Sequence, residues 1–337
     1  MRAGRWVAVG WLVLLAQLGL AAQAAMPVAP AEASATDIER WLIRLHEAPR
    51  NRAYAGTFVV TAGGDMSSAR IWHVGEGDRQ MERVESLTGT ARTTFRRNDE
   101  VVTFLPTSRT VVHETREALG LFPNLLKKAD ASVTRIYRLR SIGQGRVAGL
   151  EADIVQLLPV DTLRFGYQIW TEQKTGLMLK LQTLDPSGKV LEQAAFSELQ
   201  LEAPVSMSKL KALMGNTQGY RVVSPHLRKT TAQEEGWELG PAVPGFAPMR
   251  CYRRGEGAAE PGRGALQCVF SDGLASVSLF VEPFEPNRHT RMLSAHPPSL
   301  GATSLRVRQV GPWCMTAVGE VPAQTLDRLM QAFEKKR

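Results

Sequence analysis

Arg164-Phe165-Gly166-Tyr167-Gln168-Ile169-Trp170-Thr171-Glu172 begins a run that continues as Leu177-Met178-Leu179-Lys180-Leu181-Gln182-Thr183-Leu184 and, past Asp185-Pro186-Ser187-Gly188, through residues 189–199. It reads as three strands joined by two tight turns. The first is aromatic and β-branched. The second places Leu177, Leu179 and Leu181 on one face and Lys180 and Gln182 on the other, the period-two pattern of a half-buried strand. Pro186 and Gly188 suit a turn, because proline fixes φ and glycine accepts positive φ. Gly176 plays the same part between the first two strands. A meander with one apolar face must curl over a core or around a ligand.

Short strands of the same kind precede it, at residues 54–61, 69–74, 80–86, 93–97, 100–105 and 109–113. Turns rich in Gly, Asn and Asp separate them, such as Gly63-Gly64-Asp65 and Asn98-Asp99. Regular spacing of short strands indicates an antiparallel meander that closes or nearly closes into a barrel. Further strands are expected at 133–141 and 152–159, with Gly143-Gln144-Gly145-Arg146 as a hairpin turn between them. Thr36-Asp37-Ile38-Glu39 has the pattern of a capping box. Ile38, Trp41, Leu42 and Leu45 then make one helical stripe that Pro49 ends. Residues 114–129 break the strand rhythm. Leu121, Phe122, Leu125 and Leu126 gather around Pro123 there, as in a short helix or lid tucked against the sheet. Residues 206–214 suit a short helix.

The chain has 337 residues, room for two domains. Arg2 and Arg5 followed by the uncharged apolar stretch 6–20 and Ala22-Gln23-Ala24 read as an export signal over residues 1–25, with a single-pass anchor as the alternative. The product is expected in a bacterial periplasm. The net charge of +8 falls to +6 without Arg2 and Arg5. That mild excess permits attraction to anionic headgroups. Nucleic acid is a poor partner for an exported chain, and no aromatic-basic motif of the single-strand type is present.

We expect a large half-barrel domain over residues 36–215, an inter-domain linker over 216–240 and a small sheet-plus-helix domain over 241–334. The linker expectation rests on polar residues 220–235, where Tyr220, Arg221, Arg228 and Lys229 are hinge or partner candidates. The small domain alternates through 250–253, 266–271, 275–282, 304–310 and 313–319. It closes with a helix begun near Pro322, striped by Leu326, Leu329, Met330 and Phe333. Cys251 and Cys268 flank a Gly/Pro-rich turn. They either bridge, as an oxidising compartment favours, or stay as two buried thiols. Cys314 beside Trp313 and Met315 reads as an apolar filler.

No catalytic constellation emerges. None of the six histidines sits in a metal-binding spacing, and His289 and His296 read as part of a Pro-rich loop. There is no G-x-S-x-G elbow, P-loop or G-x-G-x-x-G. No catalytic residue, metal or cofactor is assigned. What remains is a store of apolar groups on a curved sheet: Phe58, Val60, Trp72, Phe95, Phe104, Tyr167, Ile169 and Trp170, with Leu121, Phe122, Leu125 and Leu126 from the lid. They are either an ordinary core or the lining of an acyl-chain or peptide pocket.

Three sets of residues carry a family likeness. The first is Trp41-Leu42, Ala48 and Tyr54-Ala55-Gly56-Thr57-Phe58-Val59. The second is Tyr167-Gln168-Ile169-Trp170, Thr175-Gly176-Leu177, Asp185, Gly188 and Leu191-Glu192-Gln193. The third is Ser271-Asp272-Gly273-Leu274-Ala275-Ser276, Phe280-Val281-Glu282, Gly301-Ala302 and Val318-Gly319-Glu320-Val321-Pro322. Together they resemble the RseB/MucB family of periplasmic sigma-E regulatory proteins, over essentially the whole chain after the signal. The resemblance implies a mainly β fold: an unclosed antiparallel barrel plugged by helices, similar to the lipoprotein carriers LolA and LolB, with a smaller sheet-plus-helix domain. It implies a protein that is not an enzyme. Such a protein binds the periplasmic region of a membrane-spanning anti-sigma factor, RseA- or MucA-like, and shields it from the site-1 protease. Lipid or lipopolysaccharide acyl chains release it. The competing reading is a periplasmic lipid or lipoprotein carrier of the LolA type; an exported hydrolase is a third. Whether it forms a homo-oligomer is left open.

Overall fold

Ser34, rather than the threonine two residues on, caps the first helix. Its Oγ accepts the Asp37 N–H at 3.2 Å, and the Asp37 carboxylate answers to the Ser34 N–H at 3.3 Å. The capping box is therefore Ser34-Ala35-Thr36-Asp37. The spacing that identifies such a box fits two overlapping tetrapeptides, and the choice falls on the one that leaves Thr36 inside the first turn.

The computed structural model describes residues 34–115, 133–224, 227–240, 243–255, 264–294 and 301–336. The expected export signal, most of the 114–129 lid with Leu121, Phe122, Leu125 and Leu126, the turn between Cys251 and Cys268, and His296 lie outside the described residues. Helix α1 (Ala35–Glu47) leads into a meander of β1 (Ala53–Ala62), β2 (Asp65–Glu76), β3 (Arg79–Ser86), β4 (Thr93–Arg97), β5 (Glu100–Leu105) and β6 (Thr110–Thr115). The turn α2 (Val133–Ile136) opens a second meander: β7 (Tyr137–Val147), β8 (Leu150–Pro159), β9 (Gly166–Glu172), β10 (Met178–Leu184) and β11 (Val190–Leu201). Helix α3 (Met207–Gly215) and strand β12 (Arg221–Val223) follow.

All twelve strands form one sheet in the order β12-β6-β5-β4-β3-β2-β1-β11-β10-β9-β8-β7. The two meanders lie side by side because β1 pairs with β11, for instance Val60 with Ala194. Neighbours are antiparallel except β12 on β6, which are parallel. The end strands β12 and β7 do not pair with each other, so the barrel is unclosed.

Cross-strand partners share a face. Val60, Ala194, Leu181 and Ile169 are linked in this way. Their face carries Tyr54, Phe58, Ile71, Phe196, Tyr167 and Leu157, and α1 packs Ile38, Leu42 and Leu45 against its β7–β10 half. The opposite face gathers Val74, Met81, Phe95, Val102, Phe104 and Val111 under Leu210 and Met214 of α3.

The remaining strands are β13 (Leu227–Thr230), β14 (Trp237–Leu239), β15 (Ala247–Arg254), β16 (Ala265–Ser271) and β17 (Ser276–Pro283). Then come α4 (Pro286–Ser294), β18 (Ser304–Val310), β19 (Trp313–Gly319), α5 (Ala323–Ala332) and β20 (Phe333–Lys335). Six of them form a second sheet, ordered β13-β15-β16-β17-β19-β18. Leu326, Leu329 and Met330 of α5 enter its core with Phe270, Val277 and Met315. Cys251 and Cys268 are directly opposite in β15 and β16, with Cα atoms 4.1 Å apart, and are disulfide-bonded; Cys314 is free and buried.

Six local expectations need correction. The stretch 133–141 starts as a helical turn, and its strand begins at Tyr137. Residues 143–146 lie within β7, not in a turn; the hairpin turns at Ala148-Gly149, both at positive φ. Gly143, with φ +133°, instead sits at a bulge at Ser141/Gly143, while Gly145 pairs in register with Ala152. A register shift between Met178 and Lys180 breaks the period-two pattern of β10. Met178 and Leu181 therefore join the α1 core, while Leu179 packs with Trp170 and Ala152. Residues 220–235 are not bare linker, since β12 joins the large sheet and β13 the small one. The Pro-rich stretch around His289 is helix α4, where Pro286 takes the first position. Phe333 ends the α5 stripe from a strand rather than the helix. It pairs β20 with β14 and stacks on Trp237 at 5.3 Å.

Candidate functional site

A groove of about 460 Å³ opens on the α1 face of the large sheet, at the far end of β1 from the helix. Alternation along each strand sets its floor: Phe58 and Val60 from β1, Ala69 from β2, Val84 from β3, Thr94 from β4 and Leu105 from β5. Its rim is Ser67, Ser86, Thr88 and Thr90, with Arg92 as the charged group among the described residues of the lining. The size falls within the range of roughly 300–1,000 Å³ typical of small-ligand sites. An apolar floor, a hydroxyl rim and one cation suit an apolar chain ending in a polar or anionic group. The hairpin tips beside the groove leave Met66 71% and Leu87 52% exposed.

Beneath the groove the wall is rigid. Phe58 meets Phe196 edge-on at 6.1 Å, Tyr54 meets the other side of Phe196 at 6.3 Å and stacks on His73 at 4.6 Å. His73 bridges the Glu82 carboxylate at 3.0 Å and the Pro49 carbonyl at 2.8 Å, and Arg96 holds the other Glu82 oxygen at 2.7 Å. This buried group ties the end of α1 to the middle of the sheet. Burial pushes the Tyr54 hydroxyl well above its ordinary pKa. Among the described residues its oxygen, which is buried, has no hydrogen-bond partner.

The candidate residues divide between the two faces. Phe58 and Val60 line the groove. Tyr167 and Ile169 share their face but sit under α1 and are fully buried. Trp72, Phe95 and Phe104 lie on the α3 face, where Trp72 rests under the Arg83 guanidinium at 4.5 Å. Trp170, adjacent to Ile169, points to the opposite face with Lys180 Nζ 4.3 Å from its ring. Desolvation by these neighbours lowers the Lys180 pKa. Composition marks all of these as apolar, but strand parity sorts them, and parity depends on the bulges in β10 and β11. Sequence reasoning missed the hydroxyl rim, whose Ser and Thr residues look like ordinary turn-flanking positions.

Tyr220 packs edge-on against Phe104 at 5.4 Å, and Arg221 pairs with Thr110 on the sheet edge. Arg228 reaches Glu235 at 3.1 Å within the small sheet, and Lys229 pairs with Tyr252. None of the four lines the groove. Among the described residues there is no group of three or more His, Cys, Asp or Glu placed to hold a metal. No described helix is long and apolar enough to cross a membrane.

The two sheets meet in a buried polar contact. Arg164, fully buried just before β9, donates to the Pro244 carbonyl at 2.6 Å and lies 3.4 Å from Asp272 at the β16–β17 turn. Tyr137 Oη donates to the same carboxylate at 3.4 Å, and the Leu274 and Ala275 N–H groups donate to its other oxygen at 3.0 and 2.8 Å. Burial raises the Asp272 pKa against these partners. Thr325 Oγ1 donates to the Leu163 carbonyl, and Gln324 Nε2 to that of Thr162 at 2.6 Å. No hydrophobic run announces this contact; its residues are a lone Arg in a turn and an Asp in another.

The MucB/RseB N-terminal domain model matches residues 37–214, and the MucB/RseB C-terminal domain model matches 231–334. The sigma factor AlgU regulatory protein MucB of Pseudomonas aeruginosa is 31% identical over 309 residues, 88% of this chain and 90% of that protein. The sigma-E factor regulatory protein RseB of Escherichia coli K12 is 23% identical over 304 residues, 89% of this chain and 92% of that protein. Among solved structures, MucB in complex with MucA(peri) superposes with a TM-score of 0.64 at 26% identity. It covers 90% of this chain and all of the MucB chain. Both domain models, in the same order and over most of the described sequence, place the chain in one lineage: it belongs to the MucB/RseB family.

Proposed function

We propose that this protein is a binding regulator that holds the periplasmic region of a membrane-spanning anti-sigma factor and shields it from site-1 proteolysis. The supporting observation is the end-to-end likeness, both sheets included, to a MucB chain solved with MucA(peri). The site of action is the periplasm. Nothing in the role requires bond chemistry, in keeping with a groove lined by apolar and hydroxyl groups.

The groove supplies the release signal. Acyl chains of lipid or lipopolysaccharide lie along Phe58, Val60, Val84 and Leu105, with Arg92 toward an anionic headgroup. A ligand shifts an equilibrium only through differential affinity for two states. If acyl chains favour one arrangement of the sheets and the anti-sigma segment another, each weakens the other by the same coupling free energy. The test is a calorimetric titration of the anti-sigma periplasmic segment into this protein, with and without a lipid A-type amphiphile. Binding that the amphiphile weakens supports both parts. Binding that it leaves unchanged at saturation removes the coupling, and no binding at all removes the regulator.

The same groove favours a second reading, a lipid or lipoprotein carrier. The small sheet separates the two. Its deletion should abolish anti-sigma binding and leave amphiphile binding in place if the regulator reading holds.

A further inference from the structure

The small sheet closes the groove at its β1 end. Val60 is the last floor residue on that strand, and Ala62, two residues on and roughly 7 Å away, shares its face. Ala62 is covered by Gly301, which leads into β18. Gly301 has φ +61°, and a Cβ on it would stand 2.7 Å from the Ala62 Cβ. The same Cβ would lie 2.9 Å from Oε2 of Glu192, the β11 partner of Ala62. The Ala302 N–H donates to that oxygen at 3.4 Å. The small sheet therefore comes as near to the large one here as a bare glycine permits.

The apolar floor runs from Val84 on β3 through Ala69 on β2 to Phe58 and Val60 on β1. Two strand spacings cover about 10 Å. An acyl chain of membrane length extends over about 15 Å, half of a hydrocarbon core. Arg92 lies at the β3 end of this floor, where its carbonyl accepts the Ser86 N–H at 2.9 Å. A membrane-length chain with its head there overruns Val60 by about 5 Å. On the α1 side, Leu181 and Ile169 stand packed under the helix. On the hairpin side stand Gly301 and Ala302. A contact closed by a 3.4 Å hydrogen bond yields more readily than a helix core.

We propose, on the reading of the groove as an acyl-chain site, that Gly301 and Ala302 set the length of chain it accepts while the two sheets are docked there. A short chain lies between Arg92 and Val60 and leaves this stop in place. A longer chain takes the space over Ala62, lifts Gly301 away and breaks the Ala302–Glu192 hydrogen bond. Long chains thus favour the released edge and short chains do not, which is the differential affinity that a shift requires. The Arg164–Asp272 contact remains as the other attachment of the small sheet.

The experiment compares octanoate with palmitate on the full chain. Calorimetry gives each affinity, and amide hydrogen exchange reads residues 301–304 at saturation with each. Palmitate should lower protection there about tenfold, the worth of one hydrogen bond to a charged group, and octanoate should leave it unchanged. Gly301→Ala, whose methyl forces the edge off Ala62, should lower that protection without ligand and raise the palmitate-to-octanoate affinity ratio about tenfold. Both probes carry the same carboxylate, so the ratio isolates the chain. Glu192→Ala, which removes the hydrogen-bond acceptor and adds no clash, should act in the same direction and guards against a folding defect peculiar to Gly301→Ala. Two bound fatty acids that leave 301–304 equally protected, or a ratio unmoved in both variants, overturn the stop and leave the groove reading intact. Failure of both fatty acids to bind overturns the groove reading and the stop with it.

Discussion

The Arg164 guanidinium lies 3.4 Å from the Asp272 carboxylate, and both side chains are withdrawn from solvent. One belongs to the large sheet and the other to the small. Removing one partner of a buried pair leaves the other charge uncompensated, a cost of about 3–5 kcal/mol. Asp272→Asn should therefore lose about that much stability in urea unfolding. Arg164→Met/Asp272→Asn should lose clearly less than the sum of the two single substitutions. Strict additivity would show that the pair is not coupled.

The disulfide closes a loop of 17 residues in sequence separation. Cys251→Ala/Cys268→Ala should lose about 3 kcal/mol, measured by denaturant unfolding under non-reducing conditions. Thiol titration of the unreduced, denatured chain should find one reactive group, from Cys314. Three thiols would contradict the bridge.

Gly75 sits where β2 passes the end of α1. A methyl there would stand 2.4 Å from the carbonyl oxygens of both Pro49 and Arg50. Neither neighbour is a flexible side chain, so the backbone must move. Gly75→Ala should cost about 1–3 kcal/mol. Gly64→Ala is the comparison: its Cβ would meet nothing within 4 Å, and only its positive φ of 94° resists substitution. Equal losses would mean that close packing on α1 contributes nothing.

Ala69 lies on the groove floor between Phe58 and Val84. Ala69→Trp should fill it and weaken binding of a fluorescent fatty acid by at least about tenfold, which is 1.4 kcal/mol. Fluorescence titration reads the affinity. Trp72→Ala on the opposite face should leave that affinity within about threefold. The reverse ranking would move the lipid site to the α3 face.

How much of this was legible follows from what period-two patterning records. Strands β4, β5, β18 and β19 are fixed by their own alternation and flanking turns, and their bounds match the sequence reading residue for residue. Many such strands in series read as a meander that closes or nearly closes into a barrel, its openness came from the family resemblance, and the C-terminal helix was read from its own stripe after Pro322. Parity was not legible across bulges. The extra residue near Leu179 puts Met178 and Leu181 in one core and Leu179 in another, although period two would set Leu179 and Leu181 on one face. Long-range polar pairs were invisible for a different reason. Arg164 and Asp272 are 108 positions apart, and each stands in a turn that looks polar and exposed in the sequence. Only the docking of the second sheet on the first makes them partners.

The decisive measurement is cleavage of the anti-sigma periplasmic segment by the site-1 protease, with and without this protein. A stoichiometric amount of the protein should stop cleavage, and a lipid A-type amphiphile should restore it. Cleavage at the same rate in the presence and absence of the protein would mean that it does not shield the segment.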